Sequence, residues 1–192
     1  MEPQPDPRVI ADLEACGVDY ELLACDPELA DTAAFCAAYG IPLEQSANTI
    51  LVASRRPAGV WSACLVLAST RLDVNGTVRR KMGVRKVSFA GPEETVERTG
   101  MLIGGVTAFG LPADMPLWID AAVMVPDWVI IGAGSRSAKI RLNPSDLLAV
   151  SGSEVVDGLA RPVGVAPSGG AADEEDVPDD GDDRKAEPLD GV

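Results

Sequence analysis

Apolar positions along this chain follow two periods, one helical and one of strands, divided by turn residues. Over 8–16 the apolar residues Val9, Ile10 and Leu13 share one side before Gly17, which predicts a short helix. A strand is expected over 18–24. Asp26-Pro27-Glu28 then supplies a cap, a first-turn proline and an early acid, so a helix is expected through Leu29, Phe35, Cys36 and Tyr39 to Gly40. Residues 46–53 and 60–68 read as a hairpin turned at 55–59. Asp73 caps an expected helix over 74–82, weakened inside by Asn75-Gly76 and ended by Gly83. Residues 84–89 predict a strand, and 92–98 a helix with Glu93 and Glu94 in its first turn. Further strands are expected over 117–120, 128–133 and 139–142, a helix from Asn143-Pro144-Ser145-Asp146 through 150, and a last strand at Val155-Val156.

Strands outnumber helices, the helices are short, and several pairs look antiparallel. The fold class expected is α+β, a mixed α/β single domain around a curled, partly closed mixed sheet with short flanking helices. With 46% hydrophobic residues in 192, the chain can bury one substantial core and has little left for a second. The domain is placed at 1–160. From 161 to 192 Pro, Gly, Ala and Asp take over, burial cannot repay ordering entropy, and a disordered acidic tail is expected.

Residues 100–112 fit neither period. Four glycines, at 100, 104, 105 and 110, disfavour a helix or central strand, while Val106, Phe109 and Leu111 are too apolar for a solvent loop. A buried, closely approached backbone turn is expected, with main-chain N–H groups facing a ligand.

The formal charge of −14 argues against a nucleic-acid partner until it is divided along the chain. Residues 1–50 hold ten acidic residues against Arg8 alone, and 161–192 hold ten against three basic ones. Residues 51–100 instead carry nine basic side chains against four acidic ones, a locally basic third that fits either a solvated surface or a phosphate-bearing partner. There is no histidine, which removes the usual neutral-pH base, the histidine-dependent triads and most catalytic zinc sites. Cys16, Cys25, Cys36 and Cys64 lack close metal-ligand spacing and read as plain thiols in a reducing compartment. No apolar run reaches membrane-spanning length and Glu2 and Asp6 stand where a secretory signal would be basic, so a cytoplasmic location is expected.

Single polar residues in apolar settings are the candidate chemistry. Asn48 in its strand is on the solvent face, satisfied by a neighbouring backbone, or aimed at a ligand. Asp120 closes a strand as a cap, as a partner for Arg136, or as a functional acid. Gly134-Ser135 forms either a plain hairpin turn or the rim of a pocket.

Several segments, in order, are similar to one family: Ser-Ala-Asn-Thr-Ile-Leu-Val-Ala over 46–53, Arg71-Leu72-Asp73, Gly-Val-Arg-Lys-Val-Ser-Phe-Ala over 83–90, Glu97-Arg98-Thr99-Gly100, the stretch 104–112, Asp120 and Ile131-Gly132-Ala133-Gly134-Ser135. From about 26 to 159 the chain resembles the YbaK-type editing domains, which include free-standing aminoacyl-tRNA deacylases and the domain inserted into bacterial prolyl-tRNA synthetase. The resemblance implies a closed or nearly closed sheet and a trans-acting, metal-free hydrolysis of mischarged aminoacyl-tRNA esters without a cofactor. Loop amides would polarise the ester, a bound water would attack, and a ribose hydroxyl would assist. The implied partners are the 3′ end of aminoacyl-tRNA and an aminoacyl-tRNA synthetase, with no membrane and no DNA. Carried over, Gly104, Gly105, Asn48 and Asp120 are the catalytic candidates and Thr49, Phe109, Gly110, Gly134 and Ser135 the substrate-binding ones, with no metal ligand. Two positions depart from the family pattern: its lysine before threonine falls on Asn48, before Thr49, and its loop proline falls on Ala108. The alternative reading is a non-catalytic relative that binds a nucleotide, a tRNA end or a synthetase. A third is an interaction protein that uses its acidic tail.

Overall fold

The computed structural model describes residues 2–163. In chain order it has helix α1 (Pro7–Ala15), β1 (Tyr20–Ala24), α2 (Thr32–Tyr39), the hairpin β2 (Ala47–Arg56) and β3 (Ala58–Leu67), and β4 (Thr70–Leu72). There follow α3 (Arg79–Met82), β5 (Lys86–Phe89), α4 (Pro92–Thr99), β6 (Leu117–Asp120), β7 (Val129–Gly132), β8 (Ala138–Leu142), β9 (Ser153–Val156) and β10 (Ala160–Pro162). Among the described residues no helix is long and apolar enough to cross a membrane.

The β2–β3 hairpin is the spine. It lies inside a five-stranded sheet of order β5-β2-β3-β6-β9, antiparallel from β5 to β3 and parallel from β3 to β9. Both faces are covered, which is why β3 reads as an unbroken apolar run from Ala63 to Leu67. Ala47, Leu51, Ala63 and Leu65 face a large core with Leu13 of α1, Met101, Phe109 and Ile131, whereas Val52, Cys64 and Val66 face Val74, Val78, Trp118 and Leu159. A second sheet, β1-β8-β7, carries α2 on one side through Cys25, Phe35, Cys36 and Ile130. β4 and β10 pair as a separate ribbon.

This architecture corrects the expected sheet. Among the described residues there are three separate sheets, and none is closed or strongly curled. Closure would require β2 to pair along β7, and that contact is reduced to one parallel bridge, Ser46 to Ile130. Between the two strands, along β2, lies an open space walled by Ile103, Gly104 and Val106 of the loop and by Asp31 and Thr32 at the start of α2.

Two helices are shorter than the pattern implies. Asp26 caps only the 3-10 turn Pro27–Leu29, and the chain returns to an extended conformation at Asp31 before α2 begins. Asn75-Gly76 sits in a π-helical turn, Val74–Val78, so regular α-helix is confined to α3. The expected helix after Asn143 is the 3-10 segment Pro144–Ala149. Ala160–Pro162 carries the fold past the change of composition, and the tail expected to be disordered lies, from residue 164 on, outside the described residues.

The glycine-rich stretch crosses between the sheets without regular structure. Met101 and Phe109 plug its two ends into the core, each fully buried. Between them the chain lies directly on other main chain: a Cβ on Gly105 would meet the Ser135 backbone, and one on Gly132 would meet the carbonyls of Val106 and Gly105. Gly132→Ala is therefore expected to lower stability by about 1–3 kcal/mol through overpacking. Urea unfolding reads this directly, and an unshifted midpoint would mean the loop relaxes away at no cost.

Candidate functional site

A gap in one ladder creates the site. β5 pairs with β2 from Val52 to Arg56, and the last link on that side is the Ala90 amide donating to the Leu51 carbonyl at 2.9 Å. Nothing then pairs on that side until the bridge at Ser46. Backbone groups alternate along a strand, so the main chain of Thr49 faces the same way as that of Leu51, into the gap. The unpaired edge from Ala47 to Leu51 lines a cavity of about 240 Å³. Asp31 and Thr32, the Ile103–Gly104 loop, β7 and Lys139 of β8 form its other walls.

Three of the expected residues meet here, from segments more than fifty positions apart. Asn48 lines the cavity, and its side-chain oxygen accepts a hydrogen bond from the Thr32 hydroxyl, which leaves the amide NH₂ as the free end. Thr49 also lines it, 8% exposed, and its hydroxyl has no partner among the described residues. Gly104, at φ +87°, gives its carbonyl to Lys139, and its amide has no protein acceptor among the described residues.

The other six lie elsewhere. The Gly105 amide is committed to the Leu102 carbonyl at 2.9 Å, and its own carbonyl accepts from Gly134, so it fixes the loop from behind. Phe109 is core. The Gly110 amide donates to Asp12 at 2.7 Å, tying the loop to α1. Gly134, at φ +79°, packs on Asp6 and Val9, and the Ser135 hydroxyl donates to the Gln4 carbonyl, so this turn grips the N-terminal segment. Asp120 is buried with both oxygens engaged: Oδ1 accepts from the Ala122 amide at 3.0 Å and Oδ2 from the Ala160 amide at 2.8 Å. It is a strand-end cap that also fastens β10, and Arg136 is directed to other partners.

Lys139 was not singled out from the sequence. Only 5% exposed, it donates from Nζ to the carbonyls of Ala30 and Gly104 at 2.8 Å each, and the ammonium lies 5.3 Å from the centre of the Phe35 ring. Burial pushes it below the usual lysine range; Arg136 adds to this, while Cys25, Asp31 and Cys36 oppose it. Arg136 stitches the same wall from outside, reaching the Pro27 carbonyl with two nitrogens and the Ile103 carbonyl at 2.8 Å. In sequence, Ala138-Lys139-Ile140-Arg141-Leu142 alternates like a strand with one wet face, and Lys139 is covered by residues distant in the chain, Ala30, Phe35 and Gly104. The four cysteines are free thiols, and burial pushes that of Cys64 up to about 12.

Comparison with known proteins gives the site a context. The aminoacyl-tRNA editing domain family matches residues 26–150. The uncharacterized protein YwhH of Bacillus subtilis is 32% identical over 120 residues, 59% of this chain and 76% of that protein. Two crystal structures cover 80% of the chain. A hypothetical protein aligns over 99% of its own length with 25% identity and a TM-score of 0.72. The other, provisionally described as a trans-editing enzyme for prolyl tRNA synthetase, aligns over 98% of its length with 26% identity and a TM-score of 0.69.

The bonds to Asp120 carry a stability cost that can be measured. Asp120→Ala strands two buried amides and is expected to lower unfolding free energy by about 1–3 kcal/mol, with Asp120→Asn recovering part of it. Equal urea midpoints for Asp120→Ala and the unaltered protein would remove its structural role.

Proposed function

Because the chain belongs to the aminoacyl-tRNA editing domain family, we propose that it is a trans-acting hydrolase that cleaves the ester joining a wrongly attached amino acid to the 3′ end of a tRNA. The observation that carries this reading is the convergence of Asn48, Thr49 and Gly104 on one cavity at an unpaired strand edge. Ester hydrolysis needs a polarised carbonyl and a placed water, and neither requires histidine. The uncommitted Gly104 amide polarises the carbonyl. The Asn48 NH₂ group, oriented by Thr32, positions the water or a ribose hydroxyl, and Thr49 contributes the strand edge beside it. Gly105 supports this arrangement by fixing the loop, and Asp120 acts at a distance through the fold.

The size of the cavity favours a small aminoacyl group. At about 240 Å³ it is below the range of drug-sized pockets, and Ile50, Leu51, Ile130 and Ile131 give it apolar walls. The surface beyond it suits an RNA partner. Arg56, Arg79, Arg85 and Lys86 are exposed without an ion pair among the described residues, and Arg56 lies directly opposite Lys86 across the β2–β5 ladder. Like charges in that relation repel, and a phosphate backbone would relieve them. The relative described as acting with prolyl tRNA synthetase supports a partner in the same machinery.

Single-turnover deacylation of a panel of aminoacyl-tRNAs tests the proposal. Cleavage is expected for the smallest side chains and none above the water rate for tryptophan. Asn48→Leu, which roughly keeps the shape and removes the amide, is expected to lower kcat/KM about 10-fold, the size of one lost hydrogen bond. A panel left wholly uncleaved overturns the reading, and saturable binding without cleavage would move it to the non-catalytic alternative.

A further inference from the structure

Lys139 is a buried cation without a counter-ion. No carboxylate among the described residues lies within ion-pair distance, and its two protein acceptors are main-chain carbonyls, of Ala30 and Gly104. An ammonium has three donors, so one N–H and an uncancelled unit of charge remain, in a residue that lines the cavity. A bare buried charge is costly, and a protein keeps one where a ligand completes it. The groups packed around it do not discharge it. Cys25 and Cys36 are thiols, Asp31 is 68% exposed and is shared with Arg136 at 3.3 Å, and Arg136 adds charge of the same sign.

We propose that Lys139 meets the negative charge that develops on the ester oxygen, acting beside the Gly104 amide as the electrostatic half of the site. The inference rests on the hydrolase reading above and assigns it a further residue. The geometry supports the pairing, because the ammonium holds the carbonyl of the same Gly104 whose amide is uncommitted, so charge and donor share one support. Its ammonium lies 5.3 Å from the centre of the Phe35 ring and is fixed by two 2.8 Å bonds, a preorganised cation that needs no rearrangement as charge appears. In the reaction, a water oxygen adds to the carbonyl carbon and the π pair moves onto the carbonyl oxygen, toward the ammonium. On collapse the carbon–ribose oxygen bond breaks, and the ribose oxygen takes the proton given up by the water. Lys139 keeps its protons throughout.

The sign of the pH dependence follows. Charged Lys139 is the working form, and its folded-state pKa is depressed by burial, so turnover is expected to fall as pH rises through a point below the ordinary lysine range. Lys139→Met keeps an apolar stem and removes the charge. It is expected to lower kcat about 100-fold, with KM within about 3-fold, and to abolish the basic limb of the kcat profile. Asn48→Lys serves as the second variant if Lys139→Met unfolds. Two ammoniums in one cavity repel, so it is expected to reduce turnover and move the basic limb to lower pH. Unaltered kcat in folded Lys139→Met, a basic limb that persists without the lysine, or a gain of turnover in Asn48→Lys each overturns the inference while leaving the hydrolase reading intact. Failure of the unaltered protein to cleave any aminoacyl ester overturns both.

Discussion

Main chain packed on main chain is the constraint from which the rest of this structure follows. The loop at 104–106 rests on Gly132 and against the backbone at Ser135, at a spacing that leaves no room for a side chain on either glycine. Three hydrogen bonds lock the contact: Gly105 to Leu102, Gly134 to Gly105, and Asp6 to Ala133. α1 then closes over the loop, with Asp12 accepting from Gly110 and Arg8 reaching the Thr99 carbonyl. An irregular segment is held by these links as firmly as a strand would be, and it excludes one.

The same loop walls the cavity. Together with the start of α2 it faces the stretch of β2 around Thr49, which keeps a free edge inside the protein. Buried free edges are rare because they leave polar main chain unsatisfied. Here the gap is walled by groups held firmly in place: Asn48 by Thr32, Gly104 by Lys139, and the outer loop by Arg136. The Gly104 amide is left over, on a residue that faces the empty space.

Strand positions were legible because each is decided by neighbours in sequence. The alternation over 46–53 and 60–68 led directly to β2 and β3, and the glycine cluster announced a close-packed turn. Asn48 stood out as the one amide in an apolar run, Thr49 and Gly104 were candidates through the family resemblance, and the structure brings all three to one cavity. What failed depended on contacts that no local pattern records. The strand pattern suggests a curled, partly closed sheet, whereas closure turns on whether β2 and β7 find each other along their length, and they meet only through the bridge from Ser46 to Ile130. Asp120 looks the same in sequence whether its oxygens face a ligand or two buried amides. Lys139 is the sharper case. Its strand reads as half solvated, and its burial comes from Ala30, Phe35 and Gly104, segments far away in the chain.

The free edge of β2 also bears on how such a site changes over generations. Recognition by peptide N–H and C=O groups is encoded by no particular side chain, so substitutions along the strand alter what surrounds those groups and leave the groups themselves in place. The apolar walls, Ile50, Ile103 and Ile130, come from three different segments. Exchanging one of them would reshape the space while the backbone floor persists.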